Sequence, residues 1–192
     1  EVAPFDPLVD ARLPEGTAAL YLGGGFPEVH AEELARNAPL RADVAAAIAA
    51  GLPTVAECAG LLYLAESLDG LPMAGAVAVT ARMGPRLTLR YEEGAFAAAS
   101  VVAREGEPVR FHEFHRTLTE PAGDVLTPSV HASYRHVHWA GHPEHARRFA
   151  EAAAAFAASG TRWATPAGLV ASPPPDLAHH GDADAAPGLV DL

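Results

Sequence analysis

The stretch from Gly51 to Leu64 constrains this chain more than any other part of it. Thr54-Val55-Ala56 is a short apolar run of strand type, Cys58 stands at its end, and Gly60 opens an apolar segment long enough for a helix. Strand, sharp turn and helix in that order leave the only cysteine of the protein at the elbow. A side chain at such an elbow projects away from the sheet, and the unpaired amides at the start of the following helix favour a negative charge beside it. Ala56, Ala59 and Gly60 are small enough for the backbone to turn tightly. The position therefore suits a nucleophile. A lone cysteine among apolar residues is also a common inert core filler, and this stretch alone leaves both readings open.

The preceding residues repeat the same grammar. Ala18 to Leu22 is an apolar run of strand length closed by Gly23-Gly24-Gly25, and 32–37 and 41–50 read as two helical pieces ended by Gly51. Strand, glycine turn, helix, strand, elbow, helix predicts a parallel sheet covered by helices, with a site beyond the carboxyl ends of neighbouring strands. Three successive glycines let main-chain N–H groups approach a ligand oxygen, although a tight turn without a ligand explains them equally well.

From Gly70 onwards the pattern changes to short alternating runs, 76–81, 86–91 and 97–103, which read as antiparallel strands added beside the parallel core. Phe111-His112-Glu113-Phe114-His115-Arg116 follows, and then a second histidine-bearing run, Val130 to Trp139, predicted as one strand with Tyr134, His136 and His138 on one face. The run 143–158 predicts an alanine-rich helix with Arg147 and Arg148 facing solvent; His142 and His145 carry no assigned role.

The chain of 192 residues fits one domain, and 49% hydrophobic residues suffice for a core. Thirteen basic against 24 acidic residues give a net charge of −11, which offers nucleic acid no attractive field. One cysteine excludes an internal disulfide or a four-cysteine metal site and suits a reducing compartment. With no signal peptide and no apolar run of membrane-spanning length, the expectation is a soluble cytoplasmic protein. Residues 1–17 read as a lead-in, 18–164 as the folded domain and 165–192 as a Pro-rich linker or tail that includes His179 and His180.

Several motifs taken together resemble one family. They are Leu22-Gly23-Gly24-Gly25-Phe26-Pro27-Glu28, Ala56-Glu57-Cys58-Ala59-Gly60-Leu61, Arg86-Leu87-Thr88-Leu89, His112-Glu113-Phe114-His115 and Ala132-Ser133-Tyr134-Arg135-His136-Val137-His138. In this order, across residues 18–155, they look like the glutaminase domain of cobyrinic or hydrogenobyrinic acid a,c-diamide synthase. The resemblance implies an α/β, flavodoxin-like three-layer sandwich of the class I glutamine amidotransferase type, mostly parallel with added antiparallel strands. It implies Cys58 as nucleophile, His136 as general base, and Gly24, Gly25 and Ala59 as oxyanion donors. His138 stands where the wider superfamily has a base-orienting Glu, and is a second candidate for orienting or replacing the base. His112 and His115 are candidates for the substrate side.

Full synthases of this family carry a preceding ATP-binding domain, and residues 1–17 would be the lead-in from it. The partners implied are glutamine and, through that domain, a corrinoid. No cofactor or metal is implied within this domain, whereas ATP and Mg belong to the other, since no Gly-x-x-x-x-Gly-Lys-[Ser/Thr] loop occurs here. Phe111 and Arg90 depart from the usual Gly and are expected to narrow the pocket. The tail from Ala178 faintly resembles the start of a pyridoxal-phosphate-dependent decarboxylase of the same pathway. Two other readings remain: a metal-dependent hydrolase using His136 and His138 with His112 or His115, and a non-catalytic module that docks to an ATP-dependent partner.

Overall fold

The structure, a computed structural model, describes residues 1–170; the tail resemblance from Ala178, and His179 and His180, lie outside them. The order is β1 (Leu20–Leu22), a 3-10 turn (Pro27–Val29), α1 (Ala31–Arg36), α2 (Ala38–Ala49), β2 (Thr54–Glu57), α3 (Ala59–Leu64), β3 (Ser67–Leu68), β4 (Leu71–Pro72), β5 (Thr80–Ala95), β6 (Pro108–Glu120), β7 (Val125–Leu126), β8 (Val130–Ser133), a 3-10 turn (Trp139–Gly141) and α4 (Pro143–Ser159). The two helical pieces seen before Gly51 are α1 and α2. Asn37 caps α2 by accepting from the Leu40 amide, and Gly51, at φ +90°, takes the left-handed conformation that stops it.

The strands β1 and β8 flank β2, both parallel to it, and β7 joins β8 antiparallel at the edge. A strand covered on both faces has no polar side, and all four residues of β2 are buried. Ala56 faces a cluster with Leu40, Val44 and Ala47 of α2 and Leu61 and Leu64 of α3. Val55, on the opposite face, packs with Phe96, Val101, Phe111 and Val137, against which Phe149 and Ala152 of α4 lie. Two apolar layers on the two faces of one sheet make the predicted three-layer sandwich. Leu40, Leu52, Leu61, Leu64 and Leu68 are fully buried, each contributing about 1.5–3 kcal/mol.

The added strands form a second sheet of order β4-β3-β5-β6, dominated by the long antiparallel ribbon of β5 and β6 with an irregularity between Met83 and Thr88. The single β5 replaces the separate runs predicted over 76–81 and 86–91. Residues 97–103 are not a strand: Val101, Val102 and Ala103 are buried in a loop, so their apolar pattern reports packing and not pairing. The predicted strand 130–139 stops at Ser133, whose hydroxyl donates to Asp124 and accepts from the Arg135 amide, turning the chain.

The lead-in is irregular but docked. Leu13 is buried with its amide donating to Asp43 of α2, and the Asn37 side chain donates to the carbonyls of Pro7 and Asp10. After α4, Trp163 and Thr165 also donate to Asp43, tying both ends of the domain to one carboxylate. Arg148, predicted to face solvent, turns inward to pair with Glu107 at 2.6 Å, while Arg147 stays on the surface with Glu151. No helix among the described residues is long and apolar enough to cross a membrane.

Candidate active site

Cys58 sits at φ +50° and ψ −98°, a conformation that non-glycine residues adopt only at a cost of roughly 1–3 kcal/mol. The backbone on either side holds it there. The Cys58 amide donates to Ser133 at 2.8 Å, continuing the β2–β8 ladder, and the Gly60 amide donates to Gly23 at 3.1 Å. Gly60 must be glycine, because a Cβ there would collide with the Leu22 carbonyl oxygen and lie 2.7 Å from the Leu22 Cβ. The elbow is thus locked against the end of β1.

That lock brings the glycine turn to the cysteine. A Cβ on Gly25 would lie 3.6 Å from that of Ala59, and one on Gly24 would lie 3.0 Å from Cε1 of His136. The amides of Gly24, Gly25 and Ala59 donate to no protein acceptor among the described residues, so they are free to receive an oxygen.

His136 arrives beside Cys58 by a route that the sequence did not disclose. Past the end of β8 its backbone forms a two-way bridge with His112 of β6, at 2.8 and 3.1 Å, and the two imidazoles stack at 4.8 Å and 15°. Hydrogen bonding to Cys58, and next to Glu57, pushes the His136 pKa up to about 9. Its Nδ1 lies 3.9 Å from Oε2 of Glu57, and that oxygen accepts from the Tyr21 hydroxyl at 3.0 Å. Tyr21, raised in pKa by burial and by Glu57, stands edge-on to Trp139 at 5.6 Å.

Glu57 and Tyr21 were missed by the sequence reading. One signal was available: a carboxylate in an otherwise apolar, fully covered strand is costly unless something uses its charge. His138, considered for an orienting role, has an exposed side chain that lines a different cavity with Glu93, Arg110 and His142. His136 and His138 belong to no group spaced to share a cation; among the described residues the group that does is His142, Glu144 and His145. The metal-hydrolase reading loses its ligands.

A cavity of about 210 Å3 opens onto Cys58, walled by Gly25, Phe26, Glu28, Leu62, Leu87, Phe114, His115, Arg116 and Thr117. A larger one of about 380 Å3 lies across the glycine turn, lined by Phe5, Tyr21, Gly23, Gly24 and Tyr63, and does not reach the thiol. Of the two, the smaller cavity is the one that reaches the thiol. His115 lines it but is held in place: it stacks on Tyr134 at 3.7 Å, and its Nδ1 is 2.8 Å from the Thr117 carbonyl. His112 is a support for His136, not a wall of the cavity. Phe111 and Arg90 do not narrow the pocket as expected. Phe111 is buried in the far-face cluster beneath the Arg135 guanidinium, and Arg90 pairs with Glu113 and Glu92 on the ribbon.

A strained cysteine between strand and helix, with an imidazole beside it and free amides nearby, is an arrangement that can serve cysteine–histidine hydrolysis on an α/β sheet. A solved glutamine amidotransferase shares this fold, with a TM-score of 0.51 at 20% identity over 73% of this chain and 81% of that one. Residues 1–144 match the family described as the CobB/CobQ-like glutamine amidotransferase domain, and the chain belongs to that family. It is 48% identical to the hydrogenobyrinate a,c-diamide synthase of Streptomyces coelicolor, over 79% of this chain and 34% of that protein. It is 42% identical to the cobyrinate a,c-diamide synthase of Synechococcus, over 79% of this chain and 38% of that protein. The chain therefore spans little more than a third of the length of these curated relatives.

Proposed function

We propose that this domain hydrolyses the side-chain amide of glutamine and releases ammonia for the amidation of a corrinoid carboxylate. The observation that carries the reading is a cysteine held at a strained elbow, with an imidazole, that of His136, whose pKa Cys58 and Glu57 together raise. His136 takes the thiol proton, and the thiolate adds to the amide carbon. The developing oxyanion is received by the amides of Gly24, Gly25 and Ala59. His136 returns the proton to the departing nitrogen, ammonia leaves and a thioester remains. Water, deprotonated by the same imidazole, adds to the thioester, and glutamate leaves as the thiol is restored. Glu57 fixes the ring and balances its positive charge, with Tyr21 holding Glu57 in turn.

The corrinoid follows from what the relatives are called, cobyrinate and hydrogenobyrinate a,c-diamide synthases, with the a and c carboxylates as the amidated groups in cobalamin biosynthesis. ATP and Mg have no evident place here, since the chain contains no lysine and no phosphate-binding loop. They are assigned to the remaining length of a synthase of the relatives' size, as is the corrinoid, and the cytoplasm is the compartment in which the thiol stays reduced. The test is Cys58→Ala in the complete synthase. Glutamine-dependent amidation should vanish while free ammonia still supports the reaction; loss of both would overturn a glutaminase role for Cys58.

A further inference from the structure

The cavity at Cys58 carries two opposite charges that the hydrolytic steps do not use. Glu28 lines it from the 3-10 turn after the glycines, and Arg116, an exposed residue of β6, lines it from the other side. Neither makes an ion pair or a side-chain hydrogen bond among the described residues, so both charges are available to a ligand. Between the two charges and the thiol the wall is apolar, formed by Leu62, Leu87 and Phe114. A small cavity with a thiol, an apolar waist, one cation and one anion matches an amide joined through methylenes to a zwitterionic head.

We propose that Arg116 binds the α-carboxylate and Glu28 the α-ammonium of the amino acid whose side-chain amide is presented to Cys58. The site then selects free α-amino acid amides over amides without the head group. This rests on the glutamine reading of Cys58 and adds to it the two residues that hold the substrate's far end. Charge-assisted bonds of this kind favour binding without touching the bond being broken. Their loss is therefore read in half-saturation and not in the limiting rate.

The experiment compares two thiol reagents on this chain. With 6-diazo-5-oxo-L-norleucine, an analogue that carries glutamine's head group, the diazo carbon takes up a proton, the Cys58 thiolate attacks it and dinitrogen leaves. Iodoacetamide alkylates the same sulfur without a head group. Arg116→Ala and Glu28→Gln should each raise the half-saturating analogue concentration roughly tenfold or more. The limiting labelling rate and the iodoacetamide rate should be unchanged, and Arg116→Lys should recover part of the loss. Half-saturation unchanged in both variants, with saturable labelling of the wild type, overturns the head-group assignment and leaves the glutamine reading standing. A wild-type Cys58 that reacts with iodoacetamide but is refused by the analogue overturns the glutamine reading, and this assignment with it.

Discussion

Nδ1 of His136 lies 3.9 Å from Oε2 of Glu57, the residue that immediately precedes Cys58. Strand geometry explains how one short segment supplies both groups. Glu57 shares a sheet face with Val55, and Val55 pairs with Tyr21 of β1, so the tyrosine hydroxyl and the carboxylate meet on that face. Cys58, beyond the last strand residue, turns away at the elbow and meets the imidazole from another side. The carboxylate beside His136 thus comes from the strand that precedes Cys58. It does not come from the position two residues after the histidine, which His138 fills here.

Glu57→Gln keeps the shape and removes the charge. It should lower kcat for glutamine hydrolysis by roughly 10²-fold with KM for glutamine little changed, since Glu57 lies outside the cavity wall. The informative readout is the His136 titration followed by NMR, which should move down from about 9 towards the ordinary imidazole range. Tyr21→Phe removes the hydroxyl that Glu57 accepts and should move the same titration by less. A His136 titration unmoved by Glu57→Gln would sink the orienting role.

Two glycines should fail in different ways. Gly24→Ala places a methyl 3.0 Å from Cε1 of His136, so the ring must move; kcat should fall on the order of tenfold with the unfolding midpoint nearly unchanged. Gly60→Ala drives a methyl into the Leu22 carbonyl, where neither backbone yields, and should cost about 1–3 kcal/mol in chemical denaturation. Equal loss of stability in the two variants would contradict this division.

How much of this was legible depends on whether the deciding contact is local. The elbow, the glycine turn, both helices before Gly51 and α4 are written in nearest-neighbour chemistry, and the structure places them within three residues of the reading. The pairing of His136 with His112 is not local. It needs β6 to return beside a chain that has already left β8, and period-two counting through Tyr134 assumes a strand that Ser133 and Asp124 end. For the same reason the alternation over 97–103 misled: Val101 and Val102 are buried by α4 and the sheet, not by strand neighbours. Glu57 was visible as a residue type in the wrong surroundings, but its partners come from β1 and from beyond β8.

Asp43 ties down both ends of the domain. Its side chain accepts from the Leu13 amide at 2.9 Å, from Trp163 Nε1 at 2.9 Å and from the Thr165 hydroxyl, and the residue is only 3% exposed. Asp43→Ala leaves those donors without their acceptor and should destabilise the fold by about 1–3 kcal/mol. Hydrogen exchange should accelerate at Leu13 and around Trp163 more than in β2. Uniform acceleration across the sheet would show instead that Asp43 acts through the core and not through the two straps.

Histidines of opposite shift contribute to the pH dependence of stability, with His145 lowered by burial in the same direction as His131. His136 has its pKa raised to about 9 from the ordinary 6.5, so the folded state holds its proton more tightly than the unfolded chain does. That contribution is complete below 6.5 and is lost as pH rises through about 9. His131, buried in β8 with its Nδ1 2.8 Å from Ser100 Oγ, has its pKa lowered to about 4, chiefly by burial. The unfolded chain then takes up a proton that the fold refuses, and stability falls as pH drops from 6.5 through about 4. Urea midpoints measured from acid to alkaline pH should therefore trace a dome with its top near neutrality. His136→Gln should flatten the alkaline limb alone, and His131→Gln the acid limb alone, whatever each costs in absolute stability. An alkaline limb that survives His136→Gln intact would mean that the folded state does not hold the His136 proton more tightly than the unfolded chain does.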